Sequence, residues 1–245
     1  MTQAEATRFA AALDRLVGAV EEVLLGKNRI IRLAFTALLS EGGHLLLEDV
    51  PGTGKTSLAR AIAQSVSGTS NRVQFTPPDL LPGDITGVTV YDQRSGRFDF
   101  HPGPVFANIV LADEINRASP KTQSALLEVM EEVQVTVDGQ THPSPSRSWS
   151  SRRRTPIEQA GTYRLPEAQL DRFLMRSSIG YPDHASTIRI LEGADQRAHH
   201  IVVEPQLASD EIAELAAAAR TVFVDPTIHD YVSRLVEATR TAREV

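Results

Sequence analysis

Apolar positions early in the chain recur at helical spacing. Phe9, Leu13, Leu16, Val17, Val20, Val23 and Leu24 fall on one face between residues 5 and 25, and Gly26 closes the stretch. A second helical stretch runs from Ile30 to Leu39 and stops before Gly42 and Gly43. The period then changes: Leu45, Leu46 and Leu47 form a short unbroken apolar run bounded by turn formers, which predicts a buried strand, and helical periodicity returns from Lys55 through Ala63. Arg72 to Phe75 suits another strand, followed by a loop stiffened by Pro77, Pro78 and Pro82. Residues 88–100 alternate on both sides of Arg94-Ser95-Gly96, and the stretch from Val135 to Gln140 turns at Asp138-Gly139. Both predict β-hairpins, the first projecting from the main sheet. Between them an apolar strand from Asn108 ends in Asp113 and Glu114, and Pro120 begins a helix through Glu132 with Ala125, Leu126, Val129 and Met130 turned inward. Met175 to Tyr181 reads as a last strand; Ser209 to Arg220 and Pro226 to Arg240 read as amphipathic helices.

Composition narrows the class. The 245 residues are 41% hydrophobic with ordinary charge density, which suits one large globular domain or a core with a smaller appendage. There is no Cys, so no disulfide framework and no thiolate metal site. The first residues carry no basic start followed by an apolar run, and no stretch reaches membrane-spanning length, so a cytoplasmic location is the default expectation. A net charge of -6 gives no global attraction for nucleic acid, which counts against a nucleic-acid partner.

The chemistry begins at the loop between the first strand and its helix, where Gly43 to Ser57 read G-H-L-L-L-E-D-V-P-G-T-G-K-T-S. Gly52 and Gly54 lack a Cβ, so the backbone can turn its N–H groups onto an anion, and the helix opening at Lys55 adds its dipole and free N–H groups. Lys55 supplies a mobile charge for the β and γ phosphates of a nucleotide, and the Thr56 hydroxyl can ligate Mg²⁺. Pro51, Gly52, Thr53, Gly54, Lys55, Thr56 and Ser57 are therefore the candidate nucleotide contacts. The strict pattern G-x-x-x-x-G-K-[ST] has Gly where this chain has Asp49. As in P-loop ATPases, a turn upstream of the strand can line the adenine, which Gly26 would do beside Leu25; a plain helix cap there is the other reading.

The second centre is N-I-V-L-A-D-E-I-N-R, residues 108–117. A buried strand ending in two carboxylates, about sixty residues after a phosphate loop, suits Asp113 as an orienter of the Mg²⁺ shell and Glu114 as the base that polarises an attacking water.

Four passages together, E-D-V-P-G-T-G-K-T, P-G-P-V-F-A-N-I-V-L-A-D-E-I-N-R-A-S-P-K-T-Q-S-A-L-L-E-V-M-E-E, V-T-V-D-G and P-I-E-Q-A-G-T-Y-R-L-P-E-A-Q-L-D-R-F, closely resemble the MoxR branch of the AAA+ ATPases, over most of residues 20 to 240. The resemblance implies an α/β fold, a P-loop AAA+ αβα sandwich with a five-stranded parallel sheet, divided into a nucleotide-binding core at 1–181 and a partial helical lid at 182–245. It also implies ATP and Mg²⁺, homo-oligomeric rings, ATP-driven remodelling or maturation of client proteins, and a von Willebrand factor A domain partner. Lys55 and Thr56 take the Walker A places, Asp113 and Glu114 the Walker B places, and Arg172 in L-D-R-F the place of the arginine finger that reaches a neighbouring subunit's γ-phosphate.

Two departures qualify the resemblance. Where the family has an apolar strand of about the pattern P-F-x-V-I-A-T-Q-N, the chain reads R-S-W-S-S-R-R-R-T from Arg147 to Thr155. Three unpaired arginines in a central strand would each cost several kcal/mol of desolvation. Codons for P-F-M-V-I-A-T-Q-N read one base later give R-S-W-S-S-R-R-R-T, so a shifted reading frame between two compensating changes accounts for the segment. A solvated basic loop is the alternative. Thr155 then stands where the family has its sensor Asn. The lid, moreover, lacks a G-A-S-P-R-A-like segment, and His199 and His200 read as lid surface. These departures support a second functional expectation, a nucleotide-binding module with little or no turnover.

Overall fold

The computed structural model describes residues 1–40, 43–50, 52–68, 70–74, 81–107, 109–113, 115–144, 147–153, 163, 165–192 and 202–242. Its elements follow in chain order as α1 (Gln3–Glu21), α2 (Asn28–Leu39), β1 (Leu45–Asp49), α3 (Lys55–Ser65), β2 (Val66–Ser67), β3 (Ser70–Gln74), α4 (Pro82–Thr86), β4 (Gly87–Asp92), β5 (Arg97–Pro102), β6 (Ile109–Asp113), α5 (Pro120–Glu132), β7 (Gln134–Val137), β8 (Gln140–Pro143), β9 (Arg147–Arg153), α6 (Glu167–Leu170), β10 (Met175–Ser177), α7 (His184–Glu192), β11 (Leu207–Ala208), α8 (Ser209–Ala219) and α9 (Pro226–Thr241).

The leucine run explains the layering. Successive side chains of a strand point to opposite faces. Leu45 and Leu47 accordingly join one buried cluster with Leu16, Phe35, Leu58 and Ile62 from α1, α2 and α3. Leu46 joins another with Val110, Ala112, Leu126 and Leu127, so α5 closes the opposite face. A strand buried on both sides must be apolar at every position, which is why it reads as a run rather than an alternation. Five parallel strands stand in the order β10-β1-β9-β6-β3. This is the expected sandwich.

Local signals set the helix ends. The Thr2 hydroxyl accepts the Glu5 N–H while the Glu5 carboxylate accepts the Thr2 N–H, a capping box that starts α1. Ser119 accepts the Thr122 N–H and Pro120 takes the first turn of α5. Both hairpins form outside the main sheet, β4 with β5 and β7 with β8, the second turning through Asp138 and Gly139 at φ 50° and 77°. The hairpins touch: Phe100 stacks on His142 with ring centroids 3.9 Å apart.

Several expectations shift. The basic segment, one reading of which was a solvated loop, is instead strand β9 across Arg147–Arg153, paired with β1 on one side and β6 on the other. The physical reason is main-chain pairing: without a strand there, β1 and β6 would each leave a row of N–H and C=O groups open in the middle of the sheet. Thr155, His199 and His200 lie outside the described residues. The strand read at 72–75 covers Ser70–Gln74, and Phe75 is outside the described residues. The last strand stops at Ser177, well before Tyr181.

Beyond it, β11 pairs in parallel with β2, and Val203, Leu207, Ile212 and Ala216 join the cluster of Leu16 and Phe35. Helix α9 has the predicted amphipathic sequence, yet none of its residues is buried: Ile228, Tyr231, Val232, Leu235 and Val236 all stand exposed. No helix among the described residues is long and apolar enough to cross a membrane.

Candidate nucleotide site

The loop after β1 is built around two glycines in the left-handed region. Gly52 has φ +86°, with open space where a Cβ would stand. Gly54 has φ +91°, and a Cβ there would come 3.2 Å from the Leu24 side chain. Glycine is favoured by conformation at both positions and by a close neighbour at the second. Gly54 is also the N-cap of α3, whose first intrahelical bond runs from the Leu58 N–H to the Gly54 carbonyl at 2.8 Å. No side chain caps that end, and a helix N-terminus directs its dipole and first N–H groups toward an anion. The Thr53 hydroxyl donates back to the Val50 carbonyl at 3.2 Å.

Lys55 is only 6% exposed. Its ammonium donates to the carbonyls of Asp49 and Val50, each at 2.8 Å. A buried cation requires such partners. The arrangement holds a positive charge inside the curl of the loop, where phosphoryl oxygens could replace carbonyl oxygens as acceptors. Thr56 follows in the same first turn.

Asp113 ends β6, in register with Gln74 of β3 and Ser151 of β9. Because the strands are parallel, the ends of β1 and β6 meet the same edge of the sheet, one strand apart. That brings Asp113 to the edge that carries the phosphate loop. Glu114 and Pro51 lie outside the described residues. The turn after Glu114 is held from behind: buried Gln123 donates to the carbonyls of Ile115 at 3.0 Å and Tyr163 at 3.2 Å, and the Tyr163 N–H reaches the Asn116 carbonyl at 2.7 Å. The sequence signal for Gln123 was its place on the inward side of α5, which the apolar pattern passed over.

Arg172 stands elsewhere. Its guanidinium meets the Glu131 carboxylate at 2.7 Å and lines a cleft of about 410 Å³ with His44, Met130, Ala168 and Asp171. His44 precedes the first residue of β1. Arg172 therefore lies at the opposite edge of the sheet from its own phosphate loop, about 16 Å away along a five-residue strand.

Gly26 is not the cap of α1, which is Glu22. Gly26 has φ +71°, and a Cβ there would fall 2.2 Å from the Ser186 hydroxyl oxygen of α7. The turn thus carries Leu24 against the phosphate loop on one side and Gly26 against α7 on the other. Asp183 accepts the Ser186 N–H at 2.7 Å. That hydrogen bond, then the Ser186 hydroxyl, with smaller help from the positive charge of Lys27 and from His184, holds the Asp183 carboxyl below the usual carboxylate range.

Known proteins are similar to this chain over most of its length. Residues 44–175 match the ATPase family associated with various cellular activities (AAA). The chain is 46% identical over 229 residues to the uncharacterised protein YeaC of Bacillus subtilis, covering 93% of this chain and 71% of that protein. It is 43% identical over 232 residues to chaperone MoxR1 of Mycobacterium tuberculosis, covering 93% of this chain but 59% of that one. The crystal structure of a candidate ATPase from Cytophaga hutchinsonii superposes with a TM-score of 0.84 at 34% identity, over 97% of this chain and 71% of the other.

Proposed function

This chain belongs to the MoxR-type AAA+ ATPases, enzymes that bind and hydrolyse ATP, and from that membership we propose how its own residues divide the work. The loop from Pro51 to Ser57 receives the phosphates of ATP, with Lys55 on the β and γ groups and the turn at Gly26 beside the adenine. Thr56 and Asp113 would hold Mg²⁺, an oxygen donor set suited to that hard cation, and the ion would neutralise charge on the phosphates. Glu114 accepts a proton from a water as the water oxygen bonds to the γ-phosphorus and the bond to the bridging oxygen of ADP breaks. ADP and phosphate leave. Arg172 serves the nucleotide of a neighbouring subunit in a homo-oligomeric ring, a role consistent with its distance from Lys55.

The observation that carries this reading is the buried Lys55 ammonium, held by loop carbonyls between two positive-φ glycines and the uncapped end of α3. By similarity to chaperone MoxR1, turnover is coupled to remodelling or maturation of client proteins. A von Willebrand factor A domain protein is the proposed partner, and the need for ATP puts the site of action in the cytoplasm. The core takes residues 1–181, and residues 182–245 belong to the lid.

One observation favours a second reading. Strand β9, with the sequence R-S-W-S-S-R-R in place of the family's apolar pattern, occupies the middle of the sheet beside β1. A chain so built would bind ATP with little turnover.

Steady-state ATP hydrolysis by the chain and by its Lys55→Ala and Glu114→Gln variants tests both. Turnover abolished by either substitution supports the ATPase reading. Nucleotide binding without turnover supports the module reading, and no binding at all refutes both.

A further inference from the structure

Two charged side chains that the phosphate chemistry does not use converge on the segment joining β10 to α7. Asp49, which stands where the strict phosphate-loop pattern has glycine, is nearly buried, and its Oδ2 accepts the N–H of Ile179 at 2.5 Å and of Gly180 at 2.9 Å. From the other side the Lys27 ammonium donates to the carbonyls of Ile179 at 2.8 Å and Tyr181 at 2.7 Å. Main-chain pairing of β1 with β10 ends at Leu47 and Ser177. The Asp49 carboxylate therefore continues by side chain a connection that the backbone no longer makes. Gly180, at φ +67°, lies in the turn that presents two consecutive N–H groups to one oxygen. Three residues further, Asp183 caps the start of α7.

The same Asp49 lends its main-chain carbonyl to Lys55. One residue thus touches both the phosphate-binding lysine and the entry to α7. We propose that Asp49 and Lys27 are positioning residues that transmit the state of the phosphate loop to the 179–183 segment and so to α7. This rests on the nucleotide reading of Lys55. When a phosphate draws the Lys55 ammonium off the Asp49 carbonyl, that carbonyl loses a charge-assisted hydrogen bond and its peptide plane is free to reorient. The carboxylate on the same residue moves with it. The Ile179 and Gly180 N–H groups follow, while Lys27 keeps the segment from swinging free.

Amide hydrogen exchange on the full chain, with and without Mg²⁺ and a non-hydrolysable ATP analogue, tests this through two segments, 52–62 and 176–192. In the wild type both gain protection on binding. Asp49→Ala keeps the response at 52–62 and loses it at 176–192, and exchange at Ile179 and Gly180 is about tenfold faster even without nucleotide, because both donors lose their acceptor. Asp49→Asn, which keeps an acceptor oxygen, retains part of the coupled response; Lys27→Met loses it as the alanine variant does. Should Asp49→Ala fail to fold, the Asn and Met variants carry the same comparison. A wild-type response confined to 52–62, or variants in which 176–192 still responds fully, overturns the proposal while leaving nucleotide binding intact. No response at 52–62 in the wild type refutes the nucleotide reading itself, and the proposal falls with it.

Discussion

Replacing Gly26 by alanine puts a methyl group into a place with two separate objections. The backbone there is at φ +71°, and an L-residue in the left-handed region costs about 1–2 kcal/mol. The new Cβ would also fall 2.2 Å from the Ser186 hydroxyl oxygen and 3.2 Å from the Ser186 Cβ. The first is an impossible contact, so the buried Ser186 side chain must turn away from its preferred rotamer, at a cost of about 1 kcal/mol. The total is about 2–3 kcal/mol. For a chain of this length each kcal/mol lowers the unfolding midpoint by roughly 2–4 °C, so Gly26→Ala should lower it by about 4–12 °C in a calorimetric scan. The Ser186→Ala background removes the oxygen that clashes. There Gly26→Ala should cost only the backbone share, about 1–2 kcal/mol, which leaves a coupling of about 1 kcal/mol between the two sites. Equal penalties for Gly26→Ala in both backgrounds would refute the steric argument, and an unchanged midpoint for the single variant would refute the backbone argument as well.

Further consequences can be measured independently. Leu46→Ala empties a fully buried position between β1 and α5 and should lower unfolding free energy by about 2–5 kcal/mol in a urea titration. Arg172→Ala should leave ATP affinity of the monomeric chain unchanged in a fluorescence titration, because Arg172 lies at the far edge of the sheet from Lys55; a large loss would overturn that placement. Asp183 has a folded pKa below its unfolded one, so its contribution is fully present above the unfolded value, about 3.9, and is lost as pH falls through the lower folded value. Asp183→Ala should therefore flatten the acid limb of a plot of unfolding midpoint against pH below about pH 4.

Much of the fold was legible because its signals are local. The leucine run, the glycines at 52 and 54, the cap before α5 and the Asp138-Gly139 turn each act within a few residues, and each is where the sequence predicts. What was not legible depends on distance along the chain. The pairing of β2 with β11 joins Val66 to Leu207 by only two residues on each strand, too few for any pattern. Asp49 reads as a blemish in a phosphate loop until the structure brings Ile179 and Gly180 to its carboxylate. The arginines of β9 argue against a strand by composition, whereas the open edges of β1 and β6 argue for one, and main-chain pairing prevails. In α9 the helical period was read correctly, but the sequence alone does not say that its apolar face would find no neighbour among the described residues.

The strand order also sets a timetable for synthesis. Strand β1 leaves the ribosome early, but both its sheet neighbours are encoded far downstream: β9 begins roughly a hundred residues later, and β10 later still. At ordinary elongation rates the phosphate-loop strand waits about 5–20 s for its first permanent partner. During that interval α1, α2 and α3 can already shield Leu45 and Leu47, whereas Leu46 stays uncovered until α5 has been made. The nascent chain is therefore most prone to mispairing while the ribosome is translating the middle third of the message.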